Sequence, residues 1–326
     1  MSENSFCATF RGVRGSIATP ALPSQIEDKV SQALDRARPE DLKDEASRKA
    51  FIASLPVEIR SCFGGNSSCV HVEVGGHHLI FDAGTGLRQL GLDLMDQEFG
   101  RGEGKAHIFL SHTHWDHING IPFFAPFYVK GNRFTINSPV EDIEKRLVGQ
   151  QVKEYFPVPF AAFSSTLLFT ELKDKAQVNI EGITVSWKKM YHPNASHAYR
   201  VDYNGRSFIY ATDAEYKSLS KEKLKPSIDF FQGADLLVFD AQYTFGEGLE
   251  KSDWGHSSTF IGVDLAVDAG VKNIAFFHHE PTYDDNKLVE IFRQTEKYLK
   301  PLAPKSRLNM FLAQEGLKFD LMAEKE

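Results

Sequence analysis

Ser111-His112-Thr113-His114-Trp115-Asp116-His117 stands directly after an apolar run, Ala106-His107-Ile108-Phe109-Leu110, that reads as a buried strand. Three imidazoles and a carboxylate therefore fall between His112 and His117, where that strand must end. Buried imidazoles and carboxylates without partners are expensive, so they cluster where a cation satisfies them. On extended backbone, alternate side chains point opposite ways. His112 and His114 can thus serve one metal ion while Asp116 and His117 serve a second.

Composition limits what surrounds this stretch. With 326 residues, 42% of them hydrophobic, the chain can bury a large core, and α/β enzymes of this length often form one domain. A single domain over residues 1–326 is expected. The 37 basic and 44 acidic residues leave a charge of −7 without a Lys/Arg run that could grip a polyphosphate backbone. That balance weighs against long nucleic acid and favours a small-molecule substrate. Cys7, Cys62 and Cys69 are odd in number and lack metal-ligand spacing, so they read as reduced thiols of a cytoplasmic protein. Residues 1–5 hold no apolar targeting stretch, and no run approaches the ~18 apolar residues of a membrane span, so no membrane association is expected.

Phe81-Asp82-Ala83-Gly84-Thr85-Gly86, Ile209-Tyr210-Ala211-Thr212-Asp213 and Phe276-Phe277-His278-His279 each end an apolar run on an acid or a histidine, and Met190-Tyr191-His192-Pro193 adds another histidine. With the first stretch, these motifs resemble, in order, those of the metallo-β-lactamase-fold hydrolases. The finer likeness is to the RNase Z-like branch and, within it, to bacterial cyclic-nucleotide phosphodiesterase-like proteins. It rests on Arg11-Gly12-Val13-Arg14-Gly15-Ser16-Ile17, Gly64-Gly65-Asn66-Ser67-Ser68-Cys69, Asp240-Ala241-Gln242-Tyr243-Thr244, Trp254-Gly255-His256-Ser257-Ser258 and His278-His279-Glu280-Pro281. The likeness spans about residues 6–313; one small departure is Ala198-Tyr199-Arg200, where relatives usually carry Gly-Tyr-Arg. It implies an α/β (α+β) fold, an αββα sandwich of two mixed β-sheets flanked by helices.

By that resemblance His112, His114 and His192 with Asp213 hold one ion. Asp116, His117 and His278 hold the other, with Asp213 shared. Asp82 orients a ligand histidine without touching metal. Nitrogen and oxygen ligands without sulfur suit two divalent ions, zinc first, with manganese or iron tolerated. His256 matches a histidine that binds no metal and protonates a leaving alkoxide, and Asp116 can accept a proton from the nucleophile. The expected function is hydrolysis of a cyclic nucleotide or similar small cyclic phosphodiester by attack of a metal-bridging hydroxide, and the phosphodiesterase branch implies a homodimer. tRNA 3′-end processing is the alternative. RNase Z normally adds a glycine- and base-rich arm to clamp tRNA, and only Asp142–Lys175 could hide a short one here. A lactone or thioester hydrolase of the same fold would have no use for His256.

Periodicity places strands at Cys69–Val74, His78–Asp82, Phe134–Asn137, Ile183–Lys189, Ala198–Tyr203, Ser207–Thr212, Leu236–Asp240, Asn273–Phe277 and Leu308–Leu312. Helical spacing marks Ser258–Ala269, stopping at Gly270, and Asp284–Lys300, ending before Pro301. About forty residues separate Gly15-Ser16-Ile17 from Gly64-Gly65-Asn66, where relatives have a short loop. Ile26–Phe51 is amphipathic, with Val30, Ala33 and Leu34 on one face and a break at Pro39, so residues at about 21–60 read as a helical insertion. It is either a lid or dimer contact beside the metal site, or a solvated hairpin on the shoulder of the domain. Ile121–Tyr128 and Tyr155–Phe160 are aromatic-rich and read either as core or as a wall on which a nucleobase stacks. His77 and His78 flank a hairpin turn and read as solvated; His71 and His107 read as satisfied within strands. His279 is an alternative ligand to His278, and His197 either touches phosphate or lies on the surface.

Overall fold

The computed structural model describes residues 5–172 and 177–323. Its first sheet contains β1 (Phe6–Gly12), β2 (Cys69–Val74), β3 (His77–Phe81), β4 (Lys105–Phe109), β5 (Arg133–Ser138) and β6 (Thr166–Glu171), in that spatial order. The second runs in space from β7 (Gln177–Ile180) through β8 (Ile183–Met190), β9 (Ser196–Tyr203), β10 (Arg206–Ala211), β11 (Leu236–Asp240) and β12 (Asn273–Phe277) to β13 (Asn309–Leu312). The closing strand β14 (Lys318–Asp320) returns to the first sheet beside β1. Each sheet is mixed: β1 to β3 pair antiparallel and β3 to β6 parallel, while β7 to β10 pair antiparallel and β10 to β13 parallel. The chain is an αββα sandwich of the expected class.

Burial follows from this layering. β11 and β12 are covered on both faces and read as unbroken apolar runs, each buried at every residue. Between the sheets, the rings of Phe109, Tyr199, Phe208 and Tyr210 stand 5.4–5.8 Å from that of Phe81. Helix Gly86–Met95 covers the outer face of the first sheet with Leu87, Leu90 and Leu94. Thr259–Asp268 and Asp285–Leu302 cover the second. The latter helix runs past its expected end at Pro301, because a proline in the last turn removes one intrahelical bond without halting the chain; Ala303 N still donates to Leu299 O at 3.0 Å.

The insertion forms helices Pro23–Arg36, Pro39–Leu42, Glu45–Ser54 and Val57–Arg60. The first three bury no residue, and Leu22, Ile26, Val30 and Leu34 lie exposed at four-residue spacing. The insertion is pinned to the body by Lys29 Nζ, which donates to Asp285 Oδ2 at 2.8 Å and Ser61 O at 2.9 Å. No residue of 21–60 lines the hollows that open on the proposed metal ligands. The insertion lies apart from those hollows. Of the stretch Asp142–Lys175, helix Ile143–Gln150 packs on the body through Ile143 and Leu147 and β6 joins the first sheet, while residues 152–165 between them bury no residue; Lys175 lies outside the described residues.

Two histidine expectations fail. His78 is buried, with His71 Nε2 2.8 Å from its Nδ1 and Glu98 Oε1 3.0 Å from its Nε2, because the short helix Glu98–Arg101 closes over the hairpin. His197 is buried beneath the first motif, its Nδ1 3.1 Å from Ser111 O, and lies on no surface.

Candidate metal centre

β3, β4, β8, β10, β11 and β12 all finish at one edge of the sandwich, and polar residues follow at once: Asp82, His112, His192, Asp213, Asp240 as the last residue of β11, and His278. Ligands in open sheets gather at such carboxyl ends. Asp82, Asp213 and His278 adopt left-handed backbone (φ 57°, 49° and 62°). This conformation costs non-glycine residues about 1–3 kcal/mol and persists where surrounding structure imposes it. It turns each side chain inward immediately after its strand.

The outer nitrogens of His112, His117, His192 and His278 each face an acceptor. His117 Nδ1 lies 2.7 Å from Asp82 Oδ2, His192 Nδ1 2.9 Å from Gly255 O, and His278 Nδ1 3.1 Å from Gln242 Oε1. His112 Nδ1 lies 3.0 Å from Ser111 Oγ, whose proton goes to Asp82 Oδ2 at 2.7 Å. These partners hold the protons on the outer nitrogens of those four rings and turn their Nε2 atoms inward, whereas His114 turns its Nδ1 toward His192 Nε2. The fit is close at Gly255 (φ 89°): a Cβ there would stand 2.2 Å from His192 Nδ1.

Inside the ring of histidines there are only acceptors. His112, His114, His192 and Asp213 form one group of donor atoms and Asp116, His117 and His278 another, all atoms within 4.8 Å of one another in each group. Asp213 lies between them. Its Oδ2 is 3.6 Å from His112 Nε2 and 3.7 Å from His192 Nε2, while its Oδ1 is 3.3 Å from both His117 Nε2 and His278 Nε2. The Nε2 atoms of His112 and His117 are buried and make no hydrogen bond. His192 Nε2 and His114 Nδ1 are 3.1 Å apart, close to the ~3.3 Å separation of two nitrogens on one tetrahedral zinc. Buried lone pairs converging without donors fit two cations.

The electrostatics agree. Burial opposes ionisation of Asp116 and Asp213, yet the surrounding histidines hold both carboxylates well below their usual range. Burial likewise opposes a charge on His117, but Asp116, Asp213 and Asp82 raise it well above the ordinary histidine value. Burial, reinforced by His117, keeps His112 neutral.

Asp82 touches no other ligand. It is fully buried and also accepts from Ser111 N at 2.7 Å and Tyr210 Oη at 2.9 Å, the orienting arrangement expected of it. His278 joins the cluster, whereas His279 turns away to Ala313 O at 2.8 Å. His256 enters from the loop before helix Thr259–Asp268; its Nδ1 lies 3.0 Å from Asp240 Oδ2 and its ring stacks 5.0 Å from that of His278. Burial lowers its pKa, but the Asp240 carboxylate outweighs this and raises it to about 9. His256 thus borders the dish of about 410 Å³ lined also by Ser16, Thr113, His114, Trp115, Asp116 and Asp213.

A family model described as a beta-lactamase superfamily domain matches residues 77–279, from the start of β3 to the histidines after β12. The chain belongs to this superfamily. This superfamily member is 24% identical over 292 residues to a protein named Ribonuclease Z from Treponema denticola, covering 74% of this chain and 90% of the relative. The metallo-β-lactamase fold protein YhfI from Bacillus subtilis matches over 97% of this chain and 99% of its own (TM-score 0.61, 17% identity). The human tRNase Z, short form, matches over 97% of this chain and 100% of its own (TM-score 0.56, 15% identity). The chain is a hydrolase of the metallo-β-lactamase fold.

Sequence reasoning missed several supporting groups. Asp240, fully buried, also accepts from Ala214 N at 3.0 Å and so ties His256 to the loop after β10. Gln242 spans His278, Ser16 Oγ (3.2 Å) and Glu280 Oε2 (2.9 Å). Ser16 N donates to Asp116 Oδ2 at 2.9 Å. The motifs containing these residues were visible in the sequence; the only hint of a role was a buried strand ending on an aspartate.

Proposed function

We propose that the chain hydrolyses phosphodiesters at a dinuclear metal centre, with a cyclic nucleotide or similar small cyclic diester as its substrate class. His112, His114, His192 and Asp213 hold one divalent ion, and Asp116, His117, His278 and Asp213 the other, with zinc as the first candidate and manganese or iron as alternatives. When bound, two such cations lower the pKa of water and offset phosphate charge. Asp116 accepts the proton of the attacking water, and Asp82 keeps His117 in the tautomer a metal needs. The observation that carries the reading is His256: a buried imidazole at the rim of the cluster, its Nδ1 3.0 Å from Asp240 Oδ2. An alkoxide leaving group needs such a donor, whereas the thiolate expelled by a thioester hydrolase leaves without one.

A second reading, tRNA 3′-end processing, is favoured by the name of the Treponema denticola relative, and sequence likeness supports it above the small-substrate reading. Against it stands the acidic charge, with no run of basic residues to grip a polyphosphate backbone. Purified protein should be offered 2′,3′- and 3′,5′-cyclic nucleotides, linear dinucleotides and precursor tRNA. Turnover of the cyclic diesters supports the first reading, cleavage confined to precursor tRNA replaces it with the second, and no phosphodiester turnover by metal-loaded protein sinks both. We further propose a cytoplasmic homodimer; a monomer by light scattering at micromolar concentration refutes the dimer.

A further inference from the structure

Beside the metal cluster lies a second hollow, of about 850 Å³, within the ~300–1,000 Å³ range of small-molecule sites. Thr113 and Trp115 line both this hollow and the metal dish, so the two adjoin. Trp115 sits between the proposed ligands His114 and Asp116, yet its side chain is 79% exposed. Tyr155, from a separate segment, is 81% exposed at the same hollow, and Phe123 there is half exposed, its ring edge-on to Phe156 at 5.4 Å. Large aromatic side chains are seldom left this bare, and several around one concavity next to a reactive centre mark a binding surface.

We propose that Trp115 and Tyr155 form a stacking subsite for the nucleobase attached to the phosphodiester. The inference rests on the phosphodiesterase reading above and extends it to the part of the substrate that confers specificity. Aromatic faces accept any base by stacking, which suits a surface with few fixed polar partners. The charges in the hollow favour a neutral ring over a second phosphate: its lining carries one cation, Arg146, and one anion, Glu154. Arg146 is also fixed to the motif loop, Nη1 donating to Thr113 Oγ1 at 3.0 Å and Nε to Glu141 O at 2.9 Å. It therefore sits between base and cluster, where a nucleotide carries its sugar and phosphate.

Calorimetric binding of adenosine 5′-monophosphate and ribose 5-phosphate to the zinc-loaded full chain tests the subsite without requiring turnover. The wild type should bind the nucleotide at least about 10-fold more tightly than the sugar phosphate. Trp115→Ala and, independently, Tyr155→Ala should remove most of that difference, and Trp115→Phe should restore much of it. No advantage of the base in the wild type, or equal weakening of both ligands in both alanine variants, overturns the proposal. A base-dependent affinity without turnover of any phosphodiester leaves the subsite standing and removes the proposed reaction. A short RNA ending in adenosine serves as third ligand. If Trp115→Ala weakens its binding and it binds tighter than the mononucleotide, the base belongs to a polynucleotide end; the opposite order assigns it to a free nucleotide.

Discussion

His256 has one nitrogen committed to Asp240 and the other free, and that division sets its chemistry. A proton donor matters only when the leaving group is a poor one, such as a ribose alkoxide. His256→Ala should keep both metals, lose roughly 10²–10⁴-fold in rate on a nucleotide diester, and lose far less on bis-nitrophenyl phosphate. Equal losses on both, or loss of metal, would return His256 to a scaffolding or ligand role. Asp240→Asn tests the same pair through pH. A general acid must be protonated, so activity is present below its pKa and lost as pH rises through it. Asp240 raises that pKa; without its charge the alkaline limb of the kcat profile should move to lower pH. An unmoved limb would mean that His256 is not the titrating acid.

Strand ends carried most of what could be read in advance. Ser111 to His117, Asp213 and His278 were legible because each follows an apolar run too short for a helix, and an abrupt polar residue there has few structural uses. β2, β11 and β12 match their expected bounds for the same reason. What stayed hidden depends on tertiary contact. Asp240 closes an ordinary buried strand, and its meaning lies in His256, brought across from another loop. His78 sits in an alternating hairpin that looks solvated on one face, and only the closure of Glu98–Arg101 over it makes that face interior. That closure has a pH consequence. Burial, aided for His71 by its neighbour, depresses both histidines below the unfolded value of about 6.5, so each is neutral when folded. Their neutral pairing contributes stability that is fully present above about pH 6.5 and is lost as pH falls and the unfolded chain takes up protons. Metal-loaded His71→Gln should show a shallower fall in Tm between pH 7 and 5 than the wild type. Parallel slopes would contradict this account of the hairpin.

Across the molecule, two half-parallel sheets face each other and expose their carboxyl ends together, so loops from both halves meet over one site. The core between the sheets includes residues from Phe6 to Leu321, which supports our reading of residues 1–326 as a single domain. No helix among the described residues is long and apolar enough to cross a membrane. Such an architecture can hold metal ligands rigidly because each stands within a few residues of a buried strand. The central claim is the dinuclear centre, and its most direct test is metal content after saturation with zinc or manganese and removal of excess ion. Two ions per chain are expected for the wild type, with tight binding of both lost in Asp213→Ala because that carboxylate faces both groups. No more than about one ion per wild-type chain, or an Asp213→Ala protein that keeps two, would contradict it.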